Sequence, residues 1–382
     1  MKIAMFGHKR VPSREGGIEI VVEELSRRMA AQGHQVVCYN RRGHHVSGAQ
    51  FDTARQADFE GVKLKSVWTL DKKGLAAMTA SLSAAFLCAF SKTDVVHIHA
   101  EGPAFMCWLP KLMGKRVVVT VHGLDWQREK WKSGFASKYI HAGEKMAVRW
   151  ADEMIVLSKN TQNYFRDTYG RETVFIPNGV NKPEIRDAQQ ITERFGLHKD
   201  EYFLFLGRLV PEKGVHYLVE AFRNVKTDKK LVIAGGTSGT DGYIKGLKEL
   251  AKEDDRILFT DFVQGQTLEE LYSNAYTYVL PSDVEGMPLS LLEAMSYGNC
   301  CLTSTIPECI EVVEDKAVAF QKSDVADLTK TLQFLCDAPE RVAEYKGNAR
   351  EFICEKYDWN AVASKTMELY HENSVDQQVS VS

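Results

Sequence analysis

Hydrophobic residues along the chain follow two alternating rhythms. Short unbroken apolar runs read as buried parallel strands, and stretches with an apolar residue every three or four positions read as helices covering them. Lys2–Phe6 is the first strand, and Ile18–Gln32 is the first helix, with Ile18, Val21, Val22, Leu25 and Met29 on one face. Further strands are expected at Gln35–Tyr39, Val62–Ser66, Val95–His99, Val117–His122, Met154–Leu157 and Val174–Ile176. Pro177-Asn178-Gly179-Val180 is a turn signal. The alternation then restarts, with strands at Phe203–Leu206, Leu231–Ala234, Ile257–Thr260, Thr277–Leu280, Cys300–Thr303 and Ala317–Phe320, and helices at Val215–Asn224 and Tyr243–Glu253. The pattern predicts an α/β protein of two Rossmann-like domains, 1–180 and 181–357. Asp358–His371 reads as a last amphipathic helix, and 372–382 as a polar tail expected to be disordered.

Composition excludes several classes. The eight cysteines form no Cys-x-x-Cys pair and no spacing with His suited to zinc, so reduced thiols in a cytoplasmic protein are expected. No secretory signal precedes the first strand. The apolar stretch Leu75–Phe90 is sixteen residues, short of the ~20 that span a bilayer, and reads as a packed helix. Charge is unevenly spread: residues 1–180 hold 26 Lys and Arg against 17 Asp and Glu, a net +9, while 181–382 hold 22 against 34, a net −12. A basic first half suits an anionic partner, either phosphate groups or a lipid surface. Lys72 and Lys73, Lys111, Lys115 and Arg116, and Arg128, Lys130 and Lys132 around Trp131 are its clusters. Nothing in the pattern suggests nucleic acid.

Open α/β sheets bind ligands at the carboxyl ends of their strands, and four motifs fall on such loops. Gly16 and Gly17, before the first helix, let backbone N–H groups approach an anion at a helix start. Arg208 and Lys213, five apart across a turn, can bring two cations onto one diphosphate. Glu285 and Glu293 sit on either side of a helix start, with Gly286, Met287, Pro288 and Leu289 between them. Carboxylates accept from vicinal hydroxyls, so one can hold a sugar and the other a ribose. His122-Gly123 ends a first-domain strand, followed by Asp125 and Trp126.

The Glu-x7-Glu spacing, the Arg208…Lys213 pair, Gly16-Gly17-x-Glu19 and His122-Gly123 together resemble the retaining family 4 glycosyltransferases of the GT-B fold. The likeness extends over nearly the whole chain, through the Pro177–Val180 junction and the Asp358-Trp359 helix. It implies two Rossmann-like domains facing a central cleft, with the last helix crossing back to the first. It also implies that Arg208, Lys213 and Gly16-Gly17 stabilise a leaving diphosphate, that Glu285 holds the donor sugar and Glu293 the ribose, and that Gly286–Leu289 line the pocket. Val263 takes a base-contacting position, and His122 bonds the donor sugar near the reacting carbon. Glu19, Glu101, Asp125 and Trp126 would face the acceptor. The segments His97–Pro103 and His122–Arg128 look closer to bacterial members of surface-polysaccharide assembly, implying a glycan or lipid-diphosphate acceptor at the inner face of the membrane. No Asp-x-Asp occurs, so no metal and no other cofactor are expected. A nucleotide-sugar epimerase and a non-catalytic nucleotide-sugar binder are the alternatives. A nicotinamide-dependent oxidoreductase is disfavoured because no Gly-x-Gly-x-x-Gly follows the first strand.

Overall fold

The β-rich apolar runs pair in parallel because most are followed by a helix that carries the chain back before the next strand. The computed structural model describes residues 1–45, 47–52, 56–70, 72, 75–127, 134–236 and 240–371. The first sheet holds β1 (Lys2–Phe6), β2 (Gln35–Arg41), β3 (Asp58–Phe59), β4 (Val62–Val67), β5 (Val95–His99), β6 (Arg116–Val121), β7 (Glu153–Val156) and β8 (Val174–Phe175). Its order is β3-β4-β2-β1-β5-β6-β7-β8, and among the described residues β3 alone is antiparallel to its neighbour. The second holds β9 (Tyr202–Leu206), β10 (Lys230–Ala234), β11 (Ile257–Asp261), β12 (Thr277–Leu280), β13 (Cys300–Ser304) and β14 (Val318–Phe320), in the order β11-β10-β9-β12-β13-β14. Strand order reverses between β1 and β5 in one sheet and between β9 and β12 in the other, and these switch points are where an open sheet leaves a crevice.

Three differences from the sequence reading have physical causes. The two-residue hairpin strand β3 is too short to carry a period. β6 stops at Val121, so His122 lies just past the strand in the loop. The stretch expected as a packed helix over Leu75–Phe90 is α2 (Ala76–Ala89), which buries one face and exposes the other. Leu82, Phe86, Leu87 and Phe90 are 46–60% exposed, and the helix carries no charge.

The chain crosses back as the resemblance implied. Asp358 caps the helix Trp359–Glu368, accepting from Ala361 N at 2.9 Å. That helix lies against α1 (Gly17–Ala31), and Arg28 Nε donates to Asn360 at 3.0 Å. Gly179 is required at the junction, since a Cβ there would sit 2.6 Å from the Trp359 ring. Beyond the helix, Tyr370 hydroxyl meets His97 Nδ1 at 2.6 Å inside the first sheet. Residues 372–382, expected as a disordered tail, lie outside the described residues, as does the Arg128–Lys132 cluster.

Candidate active site

The two sheets turn their switch-point loops toward one another. Gly16 caps α1 in an extended conformation with no side-chain cap, leaving the first N–H groups of the helix to the cleft. A Cβ on Gly17 would lie 3.3 Å from Leu289 Cδ1 of the second domain. Gly286 is tighter still: its Cβ would fall 1.6 Å from His122 O, and one on Gly123 would fall 3.0 Å from Gly286 Cα. The glycines of the two motifs are therefore what lets the loops touch.

On the second sheet, Lys213 Nζ donates to Glu285 Oε1 at 2.5 Å, and Ser282 Oγ donates to the same oxygen at 2.6 Å. Both ionic side chains are largely buried (14% and 8% exposed), so the pair is far better shielded than a surface ion pair. Lys213 ends a 3-10 turn after β9, and Glu285 follows β12, so the pair straddles the switch point. Arg208 sits two residues past β9 on the same edge. Met287 and Leu289 are buried beside this edge, and Asn178 N donates to Met287 Sδ, tying the interdomain junction to the pocket wall. Val263 is buried past β11.

Glu293 is held rather than open. Arg14 of the first domain forms a short ion pair with Glu293 Oε1, and Tyr272 hydroxyl donates to Oε2 at 3.2 Å. The Glu293 carboxylate raises the Arg14 guanidinium above its ordinary range. Nothing in the spacing of residues pointed to Arg14 reaching across the cleft.

Two of the residues expected to meet an acceptor do not line the cleft. Glu19 is buried at 5% exposure and accepts from Lys9 N at 2.8 Å, so it ties the loop after β1 to α1. Burial alone pushes its carboxyl up, but the Lys9 ammonium and N–H outweigh that and hold it below the usual range. Glu101 is fully buried at the start of α3 (Glu101–Ala104), where its Oε2 accepts from Asp125 N at 2.8 Å. Burial, with Asp125 and Glu144 beside it, pushes Glu101 well above the usual carboxylate range. Glu101 Oε1 and Glu144 Oε2 are both enclosed without a donor, and a proton held on Glu101 resolves that clash of acceptors. Glu101 thus fixes the Asp125–Gln127 turn from behind. Asp125 and Trp126 are half-buried on that turn, and Trp126 stacks on His141 at 5.4 Å.

His122 has a neighbour that periodicity and spacing did not single out. Its Nε2 lies 3.0 Å from His99 Nδ1, and the His99 ring lies 4.1 Å from His97. His97 is satisfied on both sides, by Tyr370 hydroxyl and by Thr120 Oγ1 at 2.7 Å. Burial lowers the His97 pKa to about 3, that of His8 to about 4, and that of His99 well below 6.5. All three imidazoles are therefore neutral near pH 7.

Two family profiles match the chain. One, described as glycosyltransferase family 4, covers residues 15–182, and the other, glycosyl transferases group 1, covers 187–352. The chain is a family 4 glycosyltransferase. Glycogen synthase of Mycobacterium tuberculosis is 29% identical to this glycosyltransferase, over 97% of this chain and 94% of its own. Among solved structures, sucrose-phosphate synthase of Thermosynechococcus elongatus superposes with a TM-score of 0.77 at 20% identity, over the whole of both chains. HepE of Anabaena, solved in complex with UDP-glucose, superposes at 0.77 with 16% identity over 96% of this chain and 98% of its own. At these identities the superpositions establish the GT-B fold of the glycosyltransferase.

Proposed function

We propose that this glycosyltransferase moves a sugar, with retention, from a nucleotide-diphosphate donor to a glycan or lipid-diphosphate acceptor without a metal ion. The observation that carries the reading is the buried Lys213–Glu285 pair beside Arg208, facing Gly16-Gly17 and His122-Gly123 across the cleft. In this reading Arg208 and Lys213 stabilise charge on the departing diphosphate, and the first N–H groups of α1 add to them. Lys213 then exchanges its partner, leaving Glu285 to accept hydroxyls of the donor sugar while Gly286–Leu289 line the pocket. Glu293 takes the ribose once Arg14 swings aside, and Val263 lies by the base. His122, held by its contact with His99 just past β6, orients the sugar near the reacting carbon. The departing phosphate accepts the proton of the acceptor hydroxyl on the same face.

The membrane side of the reading rests on α2 rather than on most of the basic clusters. Lys111 pairs with Asp152, Lys115 donates to Ser91 O, and Arg116 donates to Leu369 O, so these three cations serve the fold. Among the described residues, seven of the nine exposed large hydrophobic side chains lie on or beside α2: Trp68, Leu82, Phe86, Leu87, Phe90, Leu112 and Met113. Lys63, Lys65, Lys72 and Lys92 are exposed in the strand, loop and turn flanking that helix. An apolar face among lysines suits the headgroup boundary of an anionic bilayer. Among the described residues no helix is long and apolar enough to cross a membrane.

The test is incubation with a panel of nucleotide sugars, with and without lipid-diphosphate acceptors, before and after exhaustive chelation. Transfer that survives chelation is expected. Conversion of donor to its epimer without any acceptor would sink the reading in favour of an isomerase.

A further inference from the structure

The loop after β1 and the end of β2 hold two cations that the donor machinery above does not use. Arg41 N donates to Lys9 O at 2.6 Å, which fixes the two residues side by side. Arg41 Nη2 donates to Gly7 O at 3.1 Å, so the guanidinium sits over the point where β1 and β5 part. Gly7 packs so closely on β5 that a Cβ would fall 2.0 Å from His99 O. This is the crevice of the first sheet.

Both cations are desolvated, and among the described residues no carboxylate comes within 4.0 Å of either charged group. The nearby acids Glu19 and Glu15 oppose these charges without an ion-pair contact to them. Glu15 pairs with Arg10 at 2.8 Å, and Glu19 is engaged by Lys9 N. Burial lowers the pKa of both Lys9 and Arg41 and outweighs the opposing charges of Glu19 and Glu15, while Arg208 and Arg41 lower that of Lys9 further. Lys9 is therefore within electrostatic reach of both Arg41 and Arg208. Partly buried cations that lack an ion-paired carboxylate are costly in the empty protein, and a bound anion removes that cost.

We propose that Lys9 and Arg41 form the first sheet's half of a phosphate site that faces Arg208 across the cleft. The inference rests on the glycosyltransferase reading for what the phosphate belongs to. Arg41 supplies planar N–H donors and Lys9 a point charge, a combination suited to a phosphate dianion. The phosphate is either that of the donor diphosphate or one carried by the acceptor.

Calorimetric titration separates these sources. The nucleoside diphosphate among UDP, GDP, ADP and dTDP that binds best is titrated first, and inorganic phosphate is then titrated with that nucleotide saturating. Lys9→Gln and Arg41→Gln should each weaken one of the two ligands by roughly tenfold or more, the scale of a charge-assisted hydrogen bond. Weakened phosphate with unchanged nucleotide assigns the site to the acceptor, and weakened nucleotide without a second phosphate assigns it to the donor. Unchanged affinities for both ligands in folded variants overturn the proposal. A readout on the unmutated protein guards against misfolding: phosphate or nucleotide should slow acetylation of Lys9 several-fold by mass spectrometry, and an unaltered rate also overturns it. If no nucleoside diphosphate binds, the functional reading fails by itself, and the phosphate titration still tests Lys9 and Arg41.

Discussion

The two edges that face the cleft are built on opposite plans. The second sheet presents a compact ionic device, Lys213 on Glu285 with Ser282, on a core of Phe203, Phe205, Tyr278 and Leu280. The first sheet presents buried titratable groups in depth: His8, His97, His99, Glu19 and Glu101, each at most 5% exposed. Eight of the eleven histidines belong to residues 1–180. The contrast teaches that the second edge keeps its charge in one shielded ion pair, whereas the first, besides Lys9 and Arg41, holds protons in place. A diphosphate needs fixed cations. An acceptor hydroxyl and a sugar ring need donors and acceptors whose protonation does not drift.

The largest expected effect would erase the second edge. Arg208→Ala or Lys213→Ala should lower turnover by roughly 10²-fold or more, as loss of preorganised charge stabilisation does. Steady-state rates with the preferred donor measure it, and near-normal rates in both folded variants would show that the ionic edge is ornamental. Next comes the contact between the edges. Gly286→Ala places a Cβ 1.6 Å from His122 O, so the loops must part. Displacement by an ångström near reacting atoms costs roughly 10²-fold in turnover. The variant should keep its unfolding temperature, and unchanged turnover would mean that the loops need not touch.

The first edge is sharpened by pH. His8 and His97 have pKa values depressed to about 4 and about 3, against 6.5 unfolded. Their contribution to stability is complete above pH 6.5 and is lost as pH falls toward those values, to the extent of about 3 and about 5 kcal/mol. Glu101 has the opposite sign: its raised pKa favours the fold below the ordinary carboxyl range and is lost as pH rises through the elevated value. Five of the six tryptophans lie in residues 1–180, and none lies in 181–357. Tryptophan fluorescence on acidification should therefore change before far-ultraviolet dichroism does, and coincident transitions would contradict a difference between the halves. The smallest effect is on the bridge between them. Arg14→Ala removes the partner of Glu293 and should tighten nucleotide-sugar binding by about fivefold, the scale of an ion pair worth ~1 kcal/mol. Weaker binding would instead make Arg14 a donor contact.

What sequence disclosed follows from what one dimension contains. β1, β5 and β12 are short, almost wholly buried runs, and their limits were legible to the residue because burial on both faces leaves no ambiguity of period. The loops carrying Gly16, Arg208, Lys213, Glu285 and Gly286 were legible because special backbone and charge sit just after those strands. Glu19 and Glu101 read as acceptor contacts because a carboxylate serving a buried N–H looks the same in sequence as one serving a ligand. Arg14 was missed because only the folded cleft brings it to Glu293, 279 positions away. His99 was overlooked because its significance is a ring 3.0 Å from His122, on the neighbouring strand.

The Tyr370–His97 bond also bears on how the molecule is made. Tyr370 leaves the ribosome after every strand of both sheets, yet its hydroxyl satisfies an imidazole two residues from His99, which in turn touches His122. Until it arrives, the first sheet holds a buried nitrogen without its partner. The late segment is thus a closing stitch, and a chain cut short by premature termination just before it would carry every motif and still lack a finished floor.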